Sequence, residues 1–477
     1  MHKLQKRAII PQRIKALIEL SVWLILALTL TLMMVADRLS VNGCIWAVTL
    51  LLIGIFLSSW RNFKGGRHPC VLFLGMLLIF QGGRLIAYIF GVLSNPMDIE
   101  VATPVPLAVN PHAEITTLLL ILISAICIYA PSRFEYQPVQ FSPGYEKKWL
   151  PALYVLVVLT FPFALEKNWL YLSYIQSHGG YLAVYTDNAD LLQSAGFAIR
   201  SLALINNTAL ILTYVFERRP KRIFIILFLY FLLSSLDLLI GFRGKFFSQA
   251  LGLWYIHKLK TGRRFKPLPL IVTAILASIL AVVIGGFREE RSIELLSPLG
   301  FIAQQGISLN VTESAVAYYD LFHRYGLSYL WGGLIYGIVP PPASINHQLW
   351  TNDLTNYLNP VAADLGFGTA SSYLAELYLA GGTFAVIIGS VIVGFILRYL
   401  HVKSKYAFGA ALMAFLLPPL IYMPRLEFFG PLAALVRIGI GFVPVLIFLV
   451  IFNWGILVIR RLMNIKTNAG LVDAKEA

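Results

Sequence analysis

The chain has 477 residues, of which 58% are hydrophobic and 13% charged, with a mean hydropathy of +0.75. An ordinary soluble domain carries about 25% charged residues, so this chain has too little polar surface to cover a water-soluble particle. The net charge of +15 would suggest a nucleic-acid partner in a soluble protein, but the basic residues are spread along the chain, and no nucleic acid is expected.

The basic start MHKLQKR leads into a long apolar run with no small-residue cleavage site, which reads as an uncleaved first span. Crossing the hydrocarbon takes about 20 apolar residues, because a helix rises about 1.5 Å per residue and must satisfy its own backbone. Runs of that order predict spans near 16–36, 41–60, 70–93, 115–130, 150–165, 201–216, 223–241, 245–257, 268–286, 377–397, 406–423 and 431–459. The run 245–257 is short and needs tilt or snorkelling flanks. With the N-terminus in the cytoplasm, the inner segments hold 27 of the 38 Lys and Arg residues, as the positive-inside bias requires. The expectation is an all-α polytopic membrane protein of about twelve spans with both termini cytoplasmic. Residues 1–286 would form spans one to nine, 287–376 a long outer loop with short helices, and 377–477 the last three spans and tail. Cys44, Cys70 and Cys127 fall in or beside apolar runs and read as packing residues.

Three segments lie outside under this topology: a Pro-rich acidic loop at 94–114, residues 166–200, and 287–376. In the longest, Asn310 and Glu313 have the spacing of a capping box. Tyr318, Tyr319, Phe322 and Tyr325 follow at helical spacing, as an amphipathic helix on the outer leaflet or as the wall of a sugar-binding groove.

The exceptional charges lie outside or within the membrane. A charge near mid-bilayer costs about 3 kcal/mol on insertion scales, so its presence points to a cavity, a partner or a ligand. Arg84 sits inside the third span behind Gly82 and Gly83, which would let another backbone or a ligand approach closely. Two readings fit it: an ion pair, for instance with Asp237, or a ligand-facing cation. Arg243 and Lys245 follow the seventh span, and Arg288 and Arg291 the ninth. Snorkelling explains any one of these four, but explains less well why they gather outside. Several cations at an outer membrane face suit an anionic lipid head group, above all a pyrophosphate, which arginine grips through a planar fork. Candidate acids and bases outside are His323, His347, Glu313, Asp320, Asp353, Asp364 and Glu376. They form no HExxH, GxSxG, Walker or DxD pattern, so neither metal nor other cofactor is expected.

Three stretches resemble the O-antigen and capsule repeat-unit polymerases, the Wzy family. GFRGKFF at 241–247 is similar to that family's Gly-x-Arg-Gly turn at the outer end of a span. HGGYLAVY at 178–185 resembles its tyrosine-rich outer segment. The run FHRYGLSYLWGGLIYGIVPPP (322–342) into GFGTASSYLAELYLAGG (366–382) carries the strongest likeness. The resemblance implies a GT-C-like, metal-independent glycosyltransferase in the bacterial cytoplasmic (inner) membrane that uses no nucleotide sugar. Its substrates would be oligosaccharides on undecaprenyl pyrophosphate, with membrane lipids around it and a chain-length co-polymerase as partner. Carried over by position, Arg243 and Arg288 would bind the pyrophosphate, Arg291 and Lys245 would assist, and Arg84 would be a further cation of that site. Glu376 would occupy the family's recurrent acidic position, orienting substrate or accepting a proton, with His347 the second choice of base. The related O-antigen ligases tend to carry His-Asn where this chain has Ser371 and Ser372, which favours polymerase over ligase.

A flippase of the same lipids also suits twelve spans. It should line a central cavity with charges at several depths, whereas here the charges crowd one face beside a 90-residue loop.

Overall fold

The computed structural model describes residues 2–36, 38–97, 111–134, 139, 148–178, 188–240, 243–262, 298–339, 347–364, 369 and 371–473. Every regular element among them is helical. In chain order these are α1 (His2–Val35), α2 (Val41–Asn62), α3 (Pro69–Phe80), α4 (Gly83–Ile89), α5 (Pro111–Phe134) and α6 (Leu150–Ser177). There follow α7 (Asn188–Ser194), α8 (Phe197–Phe216), α9 (Pro220–Ile240), α10 (Arg243–Thr261), α11 (Pro298–Gln305), α12 (Ser308–Ala317) and α13 (Tyr319–Phe322). The last are α14 (Gly326–Ile338), α15 (Trp350–Leu358), α16 (Pro360–Asp364), α17 (Tyr373–Lys403), α18 (Ala407–Tyr422) and α19 (Gly430–Asp473), with 3-10 turns at His323–Tyr325 and Met423–Arg425.

Among the described residues nine helices are long and apolar enough to cross a membrane, or ten if α3 and α4 form one bent span. The expected count of twelve is thus reached only in part. The expected span 268–286 lies outside the described residues. The run 245–257 falls in α10, which carries Arg243 and Lys245 at one end and Lys258 and Lys260 at the other, and is not among the nine. The expected span 70–93 is two helices bent by 57°. Long apolar side chains stay exposed along these helices, among them Ile25 and Leu28 of α1, Phe224 and Phe228 of α9, and Val450 and Trp454 of α19. Such faces would drive association in water; in a bilayer they meet acyl chains.

The chain divides into two compact units, Met1–Phe141 with Phe242–Ala434, and Ser142–Gly241 with Leu435–Ala477. Small residues and hydroxyls bind helix to helix in both, as expected where lipid offers no hydrophobic force between helices. In the first unit Ser124 Oγ of α5 lies 2.5 Å from Tyr373 OH and 2.8 Å from Ser390 Oγ, both on α17. In the second, Asn206 Nδ2 of α8 donates to Val157 O (3.1 Å) and Thr160 Oγ1 (3.0 Å) of α6. Asp237 of α9 sits 3.6 Å from Lys167 of α6. Cys44 and Cys70 are buried, Cys127 is half-buried, and all three are free thiols.

Helices α11 to α15 do not float beside the bundle. The α11–α12 turn crosses α4 so closely that a Cβ on Gly83 would lie 2.7 Å from Ile302 O, and one on Gly306 would lie 2.5 Å from Arg84 N. Gly83 therefore admits another backbone. Farther on, Phe322, Tyr329, Trp350, Leu354 and Leu358 form one core with Ala375 and Leu379 of α17. The expected single amphipathic helix is corrected here. It breaks at Tyr318 (φ −107°, ψ 26°) into α12, α13 and a 3-10 turn. Its aromatic side meets protein, with Phe322 edge-on to Trp350 at 5.1 Å and Tyr319 edge-on to Tyr378 at 5.2 Å. Asn310 is not a cap either. It lies inside α12, buried, and its Nδ2 donates to Met97 O at 2.5 Å.

The start of α14 touches α17 backbone to backbone, since a Cβ on Gly326 would run into the carbonyl of Leu379. Gly326→Ala should therefore cost about 1–3 kcal/mol through overpacking, read as a lower unfolding midpoint of the detergent-solubilised protein. An unchanged midpoint would show that the two helices do not cross there.

Candidate functional site

The bend between α3 and α4 is held by one side chain. Gln81, fully buried, donates through Nε2 to Ser372 Oγ (2.9 Å) and Pro424 O (3.0 Å), and its Oε1 accepts from Thr312 Oγ1 (3.2 Å). Thr312 Oγ1 also lies 3.0 Å from Ser372 Oγ. One amide thereby joins the bend, α12, the entry to α17 and the 3-10 turn Met423–Arg425.

Arg425 belongs to that turn. Its Nη1 donates to Gln305 Oε1 of α11 at 2.7 Å, and its guanidinium lies 5.8 Å from the Phe80 ring centre. Phe80 in turn meets Tyr422 edge-on at 5.0 Å, and Tyr422 occupies the space where a Cβ of Gly244 would stand. The start of α10, which opens at Arg243, is therefore packed beside the turn that bears Arg425. Arg84 is buried on α4, its Nε donating to Pro96 O at 2.7 Å. For Arg243 and Lys245 the backbone alone is described. Arg288 and Arg291 lie outside the described residues, as do most of 178–185 and residues 340–346 and 365–368 of the resembling stretches.

A second feature stands at the entry to α15. Asp353, buried in the first turn of that helix, accepts the backbone N–H of His347 through Oδ1 (3.1 Å) and lies 2.9 Å from His347 Nδ1 through Oδ2. Tyr329 OH of α14 donates to the same Oδ2 at 2.7 Å. Burial first, and then this bond to a carboxylate, hold the Tyr329 hydroxyl well above the usual phenol range, so it stays a donor. His347 has φ +60°, a left-handed conformation that a non-glycine residue adopts only when its surroundings impose it. Here two hydrogen bonds to Asp353 hold it. The imidazole stacks on Tyr325 with ring centres 3.9 Å apart and planes 3° from parallel, and its side chain keeps 49% exposure. With Nδ1 turned to a carboxylate, Nε2 is the nitrogen left for proton exchange, the arrangement a general base requires.

The two features are linked. A Cβ on Gly333 of α14 would lie 2.8 Å from Glu427 Cβ, and Trp331 packs 5.7 Å from Phe429, so α14 rests on the residues just after Arg425. Glu376 ties the same region from below. It is buried in the first turn of α17, where Oε1 accepts from Ser371 Oγ (3.2 Å) and Oε2 from Phe428 N (2.8 Å). Of the remaining candidates, Glu313 is buried, Asp320 and Asp364 are exposed, and His323 stacks on its own neighbour Tyr319 at 4.9 Å. Among the described residues no three His, Cys, Asp or Glu side chains gather as a metal ion would need.

Sequence reasoning assigned no role to Gln81 or Arg425. Arg425 had a visible signal, a single Arg between two long apolar runs in YMPRLEFF. Gln81 had none, because an uncharged residue in an apolar run attracts no attention until its partners are known.

The family model described as O-antigen polysaccharide polymerase Wzy matches residues 20–454. No curated protein and no solved structure matches the chain.

Gln81→Met keeps the size of the side chain and removes three hydrogen-bonding contacts. It should destabilise the protein by about 1–3 kcal/mol, the cost of leaving buried partners unsatisfied, with earlier thermal unfolding in detergent. Wild-type melting would mean the amide does not hold the bend.

Proposed function

The chain belongs to the O-antigen polysaccharide polymerase Wzy family, and from that premise we propose that it joins lipid-linked oligosaccharide repeat units by glycosyl transfer at the outer face of the bacterial inner membrane. It does so as a metal-independent, GT-C-like enzyme with both termini in the cytoplasm and a chain-length co-polymerase beside it. The donor is a growing chain on undecaprenyl pyrophosphate, and the acceptor is a new unit on a second such lipid.

What carries the reading is the His347–Asp353 pair, with Nδ1 2.9 Å from Oδ2 and the ring half-exposed. In the reaction, a hydroxyl at the non-reducing end of the new unit attacks the anomeric carbon of the growing chain. His347 Nε2 takes the hydroxyl proton as the new C–O bond forms. The bond from the anomeric carbon to the pyrophosphate oxygen breaks, and the electron pair leaves with undecaprenyl pyrophosphate. Asp353 holds the imidazole orientation and stabilises the imidazolium. A direct displacement of this kind inverts the anomeric configuration. Glu376 fits the base less well, because both of its oxygens already hold Ser371 and the Phe428 amide inside the protein; it positions the entry to α17.

The departing pyrophosphate gains negative charge, so cations fixed near it lower the barrier more than they strengthen ground-state binding. Arg243 and Arg288 serve that role, with Lys245 and Arg291 assisting. Arg425 joins them because its turn packs beside the start of α10, and Arg84 adds a buried positive charge on the neighbouring helix. Tyr325, stacked on His347, offers an aromatic ring beside the base for contact with a sugar.

With purified protein and a defined lipid-linked oligosaccharide, His347→Ala and Asp353→Asn should each lower kcat by about 10²–10⁴-fold, the range for general base catalysis, and the double variant should lose little more. Additive losses would separate the two residues and remove the dyad. In cells, Arg243→Ala, Arg288→Ala and Arg425→Ala should each abolish long chains, leaving single repeat units on the surface while the protein inserts normally. Arg288→Lys should also fail, since an ammonium has no planar fork. Full-length polymer from any of the alanine variants would exclude that residue from the site.

A further inference from the structure

The connection from α8 to α9 and the first residues of α9 read Glu217-Arg218-Arg219-Pro220-Lys221-Arg222. Beside it, in the second unit, a cavity of about 480 Å³ opens against the start of α6. Leu150, Pro151 and Phe216 line this cavity together with Arg218, Arg219 and Arg222. Phe216 ends one candidate span, Pro220 begins the next and Leu150 begins a third. The cavity therefore sits where three spans meet the water boundary, with hydrocarbon on one side and solvent on the other.

The turn is built around one buried acid. Glu217 Oε1 accepts the backbone N–H groups of Arg218 (2.7 Å) and Arg219 (2.8 Å), and Oε2 accepts from Tyr154 OH and lies 3.8 Å from Arg222 Nη1. The Arg222 guanidinium also covers the Tyr154 ring, 5.5 Å from its centre. Burial would raise the Glu217 carboxyl, but the Arg219 and Arg218 amides, the Tyr154 hydroxyl and the Arg222 charge outweigh it and hold the group below its ordinary value. Glu217 is thus ionised at neutral pH and neutralises one of the three cations. Arg218 and Arg219 remain exposed, and neither makes an ion pair among the described residues. Snorkelling toward water accounts for arginines at a span end. It does not account for a buried carboxylate that binds the two amides of Arg218 and Arg219 and so fixes where both side chains leave the backbone, beside an apolar hollow.

Arginines whose backbone is anchored next to an apolar wall at the membrane boundary match one chemical class, an amphiphile with a phosphate head. We propose that this cavity binds the phosphodiester head group of an anionic membrane phospholipid, with Arg218 and Arg219 on the phosphate oxygens, Arg222 at the rim, and Leu150, Pro151 and Phe216 against the first methylenes of the acyl chains. The site is independent of the polymerase reading and involves no covalent step.

The test is native mass spectrometry of the full-length protein in detergent, with phosphatidylglycerol and phosphatidylcholine of the same acyl chains added in equal amounts. Phosphatidylglycerol should stay bound under activation that strips phosphatidylcholine. The double variant Arg218→Ala/Arg219→Ala should weaken its retention by about tenfold, the scale of losing two exposed charge contacts. Lys403→Ala/Lys405→Ala removes the same charge from another exposed connection and should leave retention unchanged. Glycerol 3-phosphate, a phosphate head without tails, should fail to displace the lipid at millimolar concentration. Equal retention of the two lipids, or equal weakening by both double variants, would overturn the site. Full displacement by glycerol 3-phosphate would overturn the lipid assignment and leave a plain phosphate site.

Discussion

Where α3 gives way to α4, an apolar run must turn through 57° without exposing its backbone to lipid. A polar group left unpaired at that depth costs several kcal/mol, so the turn is possible only where other polar groups converge on it. The Gln81 carboxamide meets that constraint. Its two donated bonds reach Ser372 and Pro424, and its oxygen takes the Thr312 hydroxyl. These partners lie 231, 291 and 343 residues further along the chain, and one planar amide joins them. The close crossing at Gly83 and Gly306 then sets how α11 approaches the bend.

From that junction the geometry of the chemical groups follows by short steps. Ser372 immediately precedes α17, and Glu376 in its first turn binds the Phe428 amide, which fixes the residues after Arg425. Helix α14 lies on those residues and carries Tyr329 to Asp353. Asp353 then orients His347 in a backbone conformation that His347 would not otherwise hold. The aromatic core of Phe322, Tyr329 and Trp350 makes the arrangement stiff, because close-packed rings allow few alternative rotamers. On such a frame the proposed base loses little entropy when substrate arrives, which is the physical content of preorganisation.

Charge in this protein concentrates at boundaries. Glu19 of α1 accepts bonds from Arg133 (2.8 Å), Tyr129 (2.7 Å), Asn62 (2.7 Å) and Ser58, so a carboxylate within an apolar helix is shared among four neighbours. The same logic, a buried acid surrounded by donors, recurs at Glu217, where it positions arginines instead of closing a helix contact. Both cases show the expense of unpaired charge near lipid deciding which side chains end up exposed.

Amino-acid order alone determined that this is a multi-pass helical membrane protein and placed most of its spans, because hydropathy averaged over about 20 residues survives any packing arrangement. It also identified the resembling family and singled out Arg84 and its glycines, since a charge in an apolar run is conspicuous without partners. It put Asn310 at the cap of a helix on spacing, but the helix begins two residues earlier, at Ser308, and the Asn310 side chain is buried against Met97 O. It placed a span at 70–93 but gave no sign of the bend within it, since a bend stabilised by remote hydroxyls leaves no local mark. His347 and Asp353 were both visible as candidates, yet only six residues of folded backbone with a left-handed turn brought the two side chains into contact. Gln81 and Arg425 acquired roles only from partners remote in sequence. A linear pattern records what each residue prefers as solvent, whereas a hydrogen bond across the bundle depends on where two distant stretches come to rest, and that was decided by the tertiary structure.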